Sequence, residues 1–249
     1  MKHLPFDSYD LLLFDLDDTL FHHSEAYEKG ILNTVQHFQA LEGIDQSDFI
    51  KSFTKHNHLL WSMFTSNQLN FQEFSLKRLE NTLKDFKIII EREESLEIVK
   101  MFQDSYLEQI RPQEELNEFL TDLSNSVRIG IITNGTVFNA YKKVDRLGLK
   151  RIFPETSVIV SEAVGSSKPN PEIFQHALKL FEGNSSRTLF IGDNYYTDIL
   201  VAKSTGMDTL WINRYNYQTP KDEHPDYTLK HVLEMKGLFT RGQVNIESD

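Results

Sequence analysis

No cysteine occurs anywhere in the 249 residues. That excludes a disulfide framework, a thiol nucleophile and a Cys-based zinc site. It fits a reducing compartment, and a cytoplasmic location is expected. Long apolar runs are missing as well. Leu11–Phe14 is apolar but stops at Asp15, and no run approaches the ~20 residues of a membrane-spanning helix. Met1 to Asp10 holds no apolar stretch of signal-peptide length. Positive charge is scarce: 26 Lys and Arg against 37 Asp and Glu give a formal charge of −11. That balance argues against a nucleic-acid polymer or an anionic membrane as partner, while leaving room for a local cationic pocket that holds one small anion. No repeat and no low-complexity segment is present.

Hydrophobic residues make up 39% of the chain and charged residues 25%, the balance of an ordinary soluble globular protein. A chain of this length buries roughly 70–75% of its unfolded surface, enough for a core without staples. It makes one large domain or two modest ones. Five short apolar runs read as strands covered on both faces: Leu11–Phe14, Val127–Thr133, Val158–Val160, Thr188–Ile191 and Thr209–Ile212. Amphipathic segments separate the later ones, at Gln113–Asn125, Thr136–Leu147, Pro171–Phe181 and Thr197–Ser204. Gly148 suits the end of the second, and Asn170 with Pro171 suits the start of the third. This alternation predicts an α/β fold, a Rossmann-like, doubly wound parallel sheet.

One connection breaks the rhythm. About 110 residues separate the first strand from the second, where a crossover needs roughly a dozen. The intervening stretch is helical in pattern over Ser24–Ala40, Ser47–Phe64, Phe71–Leu83 and Ser95–Ile110, with Ile88–Ile90 as a helix end or linker. Residues 20–110 are read as an inserted α-helical cap, and 1–19 with 111–249 as the core. Arg111–Pro112 marks the return, because proline disfavours helix in the residue before it.

Three carboxylates, Asp15, Asp17 and Asp18, lie within four residues directly after the first strand. Two unit charges ~4 Å apart repel by ~4 kcal/mol at an effective dielectric of 20, so a cation would relieve the cluster, and hard oxygen ligands suit Mg²⁺. In open parallel sheets, ligands bind beyond the carboxyl ends of strands. A calcium EF-hand loop fails on spacing, with Leu20 where Gly is needed and Ala26 where Glu is needed. The run alone also fits a solvated acidic turn.

The other strand ends add weight. Thr133-Asn134-Gly135 leads from the second strand into a helix and can cradle an oxyanion, or simply cap the helix. Lys168 sits in Lys168-Pro169-Asn170-Pro171, where a rigid ammonium could meet a phosphoryl group and the acidic cluster. A surface lysine is the plainer reading. The fourth strand ends Gly192-Asp193-Asn194, with Asp198 five residues beyond Asp193 in or near the first turn of the next helix.

Taken together, these four stretches resemble the haloacid dehalogenase-like superfamily of aspartyl phosphohydrolases. The matching motifs are Asp-Leu-Asp-Asp-Thr at 15–19, the Thr-Asn-Gly turn at 133–135, Lys168, and Gly-Asp-Asn-Tyr-Tyr-Thr-Asp at 192–198. The opening at 14–21, the Thr-Asn-Gly turn and the closing motif look most like the pyrimidine 5'-nucleotidase-type branch with a helical cap. The resemblance implies Asp15 as nucleophile and Asp17 as general acid and base. It implies Mg²⁺ on Asp15, Asp193 and the Asp17 backbone carbonyl, and phosphate contacts from Thr133, Asn134 and Lys168. Asp198 is expected to orient Lys168. The implied reaction is hydrolysis of small phosphorylated metabolites, plausibly nucleoside 5'-monophosphates. Phosphomutase or phosphotransferase chemistry, and a sugar-phosphate or phosphoglycolate phosphatase, are the alternatives. The dehalogenase branch lacks the second aspartate of the first motif, which Asp17 supplies here. The cap is expected to govern substrate choice and exclude water. Its aromatic residues Phe53, Trp61, Phe64, Phe71 and Phe74 are expected mostly as cap core, His22 and His23 as a polar hinge, and Gln243–Asp249 as a frayed tail. His56 and His58 do not face each other as a metal pair. Oligomeric state is not legible.

Overall fold

Leu11–Phe14 forms strand β1, and all four side chains are buried. The computed structural model describes residues 8–66, 68–219 and 223–239. The first seven residues and the Gln243–Asp249 tail lie outside them. The chain divides into two compact units, Met1–Phe21 with Pro112–Asp249, and His22–Arg111.

The His22–Arg111 unit is helical: α1 (His23–His37), α2 (Gln46–Thr65), α3 (Phe71–Asp85) and α4 (Arg92–Gln109). Local chemistry sets the starts. The Asp45 side chain accepts from the Asp48 N–H at 2.9 Å, and Asn70 with Glu73 makes a reciprocal capping box on α3. Phe53, Phe64 and Phe74 are buried, Phe71 packs on the cluster of Phe64 and Phe74, and Trp61 stays 36% exposed against Phe74. Burying each phenylalanine contributes roughly 1.5–3 kcal/mol, so this aromatic set is mainly the unit's own core. Ile88–Ile90 is a linker between α3 and α4, with Ile89 almost wholly exposed. His56 contacts Asp85 at 3.0 Å, and His23 contacts the Tyr106 hydroxyl at 2.8 Å.

The other unit continues through α5 (Glu114–Ser124), β2 (Arg128–Thr133), α6 (Val137–Arg146), β3 (Val158–Val160), the single turn α7 (Ser161–Val164) and α8 (Pro171–Leu180). Strand β4 (Thr188–Gly192) leads through a π-turn at Tyr195–Ile199 into α9 (Leu200–Ser204). Strands β5 (Asp208–Ile212) and β6 (Tyr227–Leu229) and helix α10 (Met235–Phe239) follow. The six strands are parallel, in the order β3-β2-β1-β4-β5-β6. Every residue of β1, β3 and β4 is buried, which is why these strands read as continuous apolar runs. Leu11, Leu13, Ile132, Ile173, Phe174 and Phe190 form one core cluster under helices α8 and α9. Gly148, at φ +73°, closes the segment after α6.

Two features differ from the sequence reading. Strand β6 is three residues long, too short to show a periodicity. The helix expected at Thr197–Ser204 begins two residues earlier, as a π-turn started by Asn194, whose side chain accepts from the N–H groups of Tyr196 and Thr197. Register then fixes what matters for function. Phe14 pairs with Ile131 on one side and Ile191 on the other. Asp15, Thr133 and Asp193 therefore emerge at one edge of the sheet. The chain order reverses between β1 and β4, the place where ligands bind in open parallel sheets.

Candidate active site

Asp15 leaves β1 with its N–H donating to the Ile191 carbonyl at 2.8 Å, so its backbone is still tied to the sheet. Its carboxylate is buried, 6% exposed as a residue. Oδ1 accepts from Lys168 Nζ at 2.6 Å, while Oδ2 is buried with no partner among the described residues. Lys168 is equally buried and pairs with Asp198 Oδ1 at 2.7 Å on its other side. Burial alone would push the lysine's pKa down; the two carboxylates outweigh it and hold the ammonium protonated.

The lysine is aimed from behind. Asn134 grips its backbone twice: Nδ2 donates to the Lys168 carbonyl at 2.8 Å, and Oδ1 accepts from the Lys168 N–H at 2.9 Å. The Asn134 side chain thus holds the loop rather than standing free, which leaves its backbone amide as the group that could meet an anion. Thr133, 2% exposed, has only a 3.5 Å contact from its hydroxyl to the Asn134 carbonyl, so that hydroxyl is weakly engaged.

Asp193 follows β4, its carbonyl accepting from Trp211 Nε1 at 2.7 Å. Asp15, Asp193 and Asp198 bring carboxylate oxygens within 4.8 Å of one another. Asp198 is spoken for: Oδ1 takes Lys168, and Oδ2 accepts from the Asn194 N–H at 3.1 Å. Gly192 lets it come so close, since a Cβ there would sit 2.7 Å from Asp198 Cβ. Three carboxylates facing one ammonium leave two negative charges in excess when all are ionised. Burial, reinforced by Asp198 and Asp17 against the pull of Lys168, raises Asp15 to about 7. Burial with Asp15, Asp198 and Asp18 raises Asp193 to about 9. The excess negative charge, the hard oxygen donors and the orphaned Asp15 Oδ2 fit a divalent cation such as Mg²⁺.

Asp17 is turned elsewhere. Both of its carboxylate oxygens accept from Lys143 Nζ at 2.7 Å. The sequence reading missed Lys143, although a signal exists. On α6, Ala140, Val144 and Leu147 make the buried stripe, and Lys143 falls on that stripe instead of on the solvent face. Asp18, at φ +57°, carries the turn between Asp17 and Phe21.

A family model described as haloacid dehalogenase-like hydrolase matches residues 9–206. The pyrimidine 5'-nucleotidase YjjG of Escherichia coli is 28% identical over 244 residues, covering 94% of this chain and 99% of that protein. A glyceraldehyde 3-phosphate phosphatase of Methanocaldococcus jannaschii is 28% identical over 232 residues, covering 90% and 94%. The magnesium-bound crystal structure of the HAD-hydrolase YfnB from Bacillus subtilis has the same fold, with a TM-score of 0.76 at 22% identity over 93% of this chain and 99% of that one. Among the described residues, no helix is long and apolar enough to cross a membrane. The matched residues 9–206 run from β1 through the end of the π-turn helix and take in every side chain of the acidic pocket, so the chain belongs to the haloacid dehalogenase-like hydrolases.

Proposed function

We propose that this hydrolase is a Mg²⁺-dependent phosphatase of small phosphomonoesters, working through a phosphorylated Asp15. The observation that carries the reading is the buried Asp15 carboxylate, one oxygen fixed by Lys168 and the other unpartnered, at the strand-order reversal beside Asp193. Asp15, Asp193 and the Asp17 backbone carbonyl would hold the metal. When bound, it supplies positive charge that lets a phosphate dianion approach a carboxylate.

The chain's own groups then divide the work. An Asp15 oxygen attacks phosphorus, and the bond from phosphorus to the leaving oxygen breaks. Asp17, protonated and released from Lys143, gives that oxygen its proton. Covalent catalysis splits one difficult displacement into two easier ones. In the second half, Asp17 takes a proton from water, the water oxygen attacks phosphorus, and the phosphorus–Asp15 bond breaks to free inorganic phosphate. Lys168, the Thr133 hydroxyl and the Asn134 N–H neutralise the oxygens of the transferring group. Asp198 and the Asn134 side chain aim Lys168 and do not touch substrate.

Nucleoside 5'-monophosphates are supported as substrates by the nucleotidase relative, and triose or sugar phosphates by the glyceraldehyde 3-phosphate phosphatase relative at the same 28% identity. Phosphate release from a panel of nucleotides, sugar phosphates and phosphoglycolate separates them. Asp15→Asn is expected to release none from any member while keeping its fold. Normal turnover in that variant would overturn the reading, and isomerised sugar phosphate without free phosphate would replace it with a mutase.

A further inference from the structure

Arg78, on α3 of the helical unit, is 3% exposed, and no carboxylate pairs with it among the described residues. Its guanidinium carbon lies 4.5 Å from the Phe53 ring centre, 5.0 Å from Phe102, 5.1 Å from Phe74 and 5.8 Å from Tyr27. Nη1 donates to the Tyr27 hydroxyl at 3.0 Å and to Asn57 Oδ1 at 2.7 Å, which uses both of its hydrogens. Among the described residues Nε is buried with no partner, and Nη2 finds no acceptor.

A guanidinium carries five N–H donors and stays charged in proteins. Here two donors are satisfied, both by neutral oxygens. A buried charge without an opposite charge costs several kcal/mol. Aromatic faces offset part of that cost, but they act on the faces of the guanidinium plane. They leave the in-plane Nε donor buried and unanswered, and beside it Nη2 has no acceptor among the described residues. Those two N–H bonds run parallel along one edge, the fork that carboxylate and phosphate oxygens fill with two hydrogen bonds. Tyr27 and Asn57 hold the opposite edge, so the plane cannot turn to seek another acceptor. The cation is pre-organised, and its Nε–Nη2 edge meets no hydrogen-bond acceptor among the described residues.

We propose that Arg78 is an anion receptor within the helical unit, taking a carboxylate or phosphate group side-on at Nε and Nη2. The ligand provides the opposite charge that no carboxylate supplies among the described residues. The inference does not depend on the phosphatase reading, since it stands on the helical unit alone.

The test follows the Arg78 Nε–H resonance in the full chain, assigned as the signal absent from Arg78→Lys. Sodium acetate or inorganic phosphate is added at constant ionic strength, in the natural protein and in Lys168→Met, which disables the core's cationic pocket. A saturable downfield shift with either anion, kept in Lys168→Met, is expected. A resonance that stays still in protein whose amide spectrum shows it folded would overturn the site, as would a shift lost in Lys168→Met.

Discussion

Replacing Lys143 with methionine isolates the one ion pair of the pocket that the sequence did not announce. Its ammonium sits 2.7 Å from both oxygens of Asp17, with side-chain exposures of 11% for the lysine and 26% for the aspartate. Methionine keeps the stem and removes the charge. A hydrogen bond to a charged group nets about 1.5–3 kcal/mol. The quarter exposure of Asp17 screens the pair, so about 1.5–2 kcal/mol is the fair share. At 1.36 kcal/mol per tenfold, that is about 13- to 30-fold in rate. The loss should fall on the second half-reaction, because an aspartate held by an ammonium is in the carboxylate form that accepts a proton from water. Its first role needs the protonated form, for which the pair must open. Rapid mixing of Lys143→Met with p-nitrophenyl phosphate, whose leaving group needs no proton, should therefore give a burst of nitrophenolate close to one per enzyme. Steady turnover should follow at about 13- to 30-fold below the unaltered enzyme. Steady turnover within twofold of the unaltered enzyme, or a large loss without a burst, would refute this assignment of Lys143.

Gly192→Ala should drive a Cβ into Asp198, whose Cβ would be 2.7 Å away. Overpacking of this kind costs about 1–3 kcal/mol, and in a chain of this size each kcal/mol lowers Tm by about 2–4 °C. Thermal unfolding should show that drop, with activity lost because Asp198 no longer steadies Lys168; an unchanged Tm would deny the close approach. Stability of metal-free protein should depend on pH in a particular direction. Asp15 and Asp193 are raised to about 7 and about 9, so the folded state holds protons that the unfolded state has released, and stability falls as pH rises through those values. Saturating Mg²⁺ should flatten the fall and release protons on binding, measured by calorimetry in buffers of different ionisation enthalpy. Magnesium binding without proton release near pH 7 would contradict the crowded, uncompensated pocket.

Much of the core was readable because it is local. Strands β1 and β3 fall on the residues their apolar runs mark, and β2, β4 and β5 differ from theirs by one residue at an end. Covered parallel strands advertise themselves as uninterrupted Leu, Ile and Val. Strand β6 was silent, because three residues with Thr228 exposed carry no period, and its place is set by pairing with β5. The acidic pocket was legible as residue types at successive strand ends. The contacts of Lys168 with Asp15 and Asp198 were expected as well, but others were not. That Asn134 spends its side chain on the backbone of Lys168, and that Asp17 faces Lys143 across 126 positions of sequence, are products of tertiary packing. Arg78 carries no motif in the sequence. Only the convergence of α2, α3 and α4 encloses it in aromatic rings.

The proposed mechanism passes a phosphoryl group through Asp15. Acid-quenching the enzyme during turnover of a phosphomonoester, followed by mass analysis of its peptides, tests that directly. The expected result is one added phosphoryl group on the Asp15 side chain, labile to base and absent from Asp15→Asn. Turnover with no phosphorylated Asp15 under any quench time, or with the group on another residue, would contradict it.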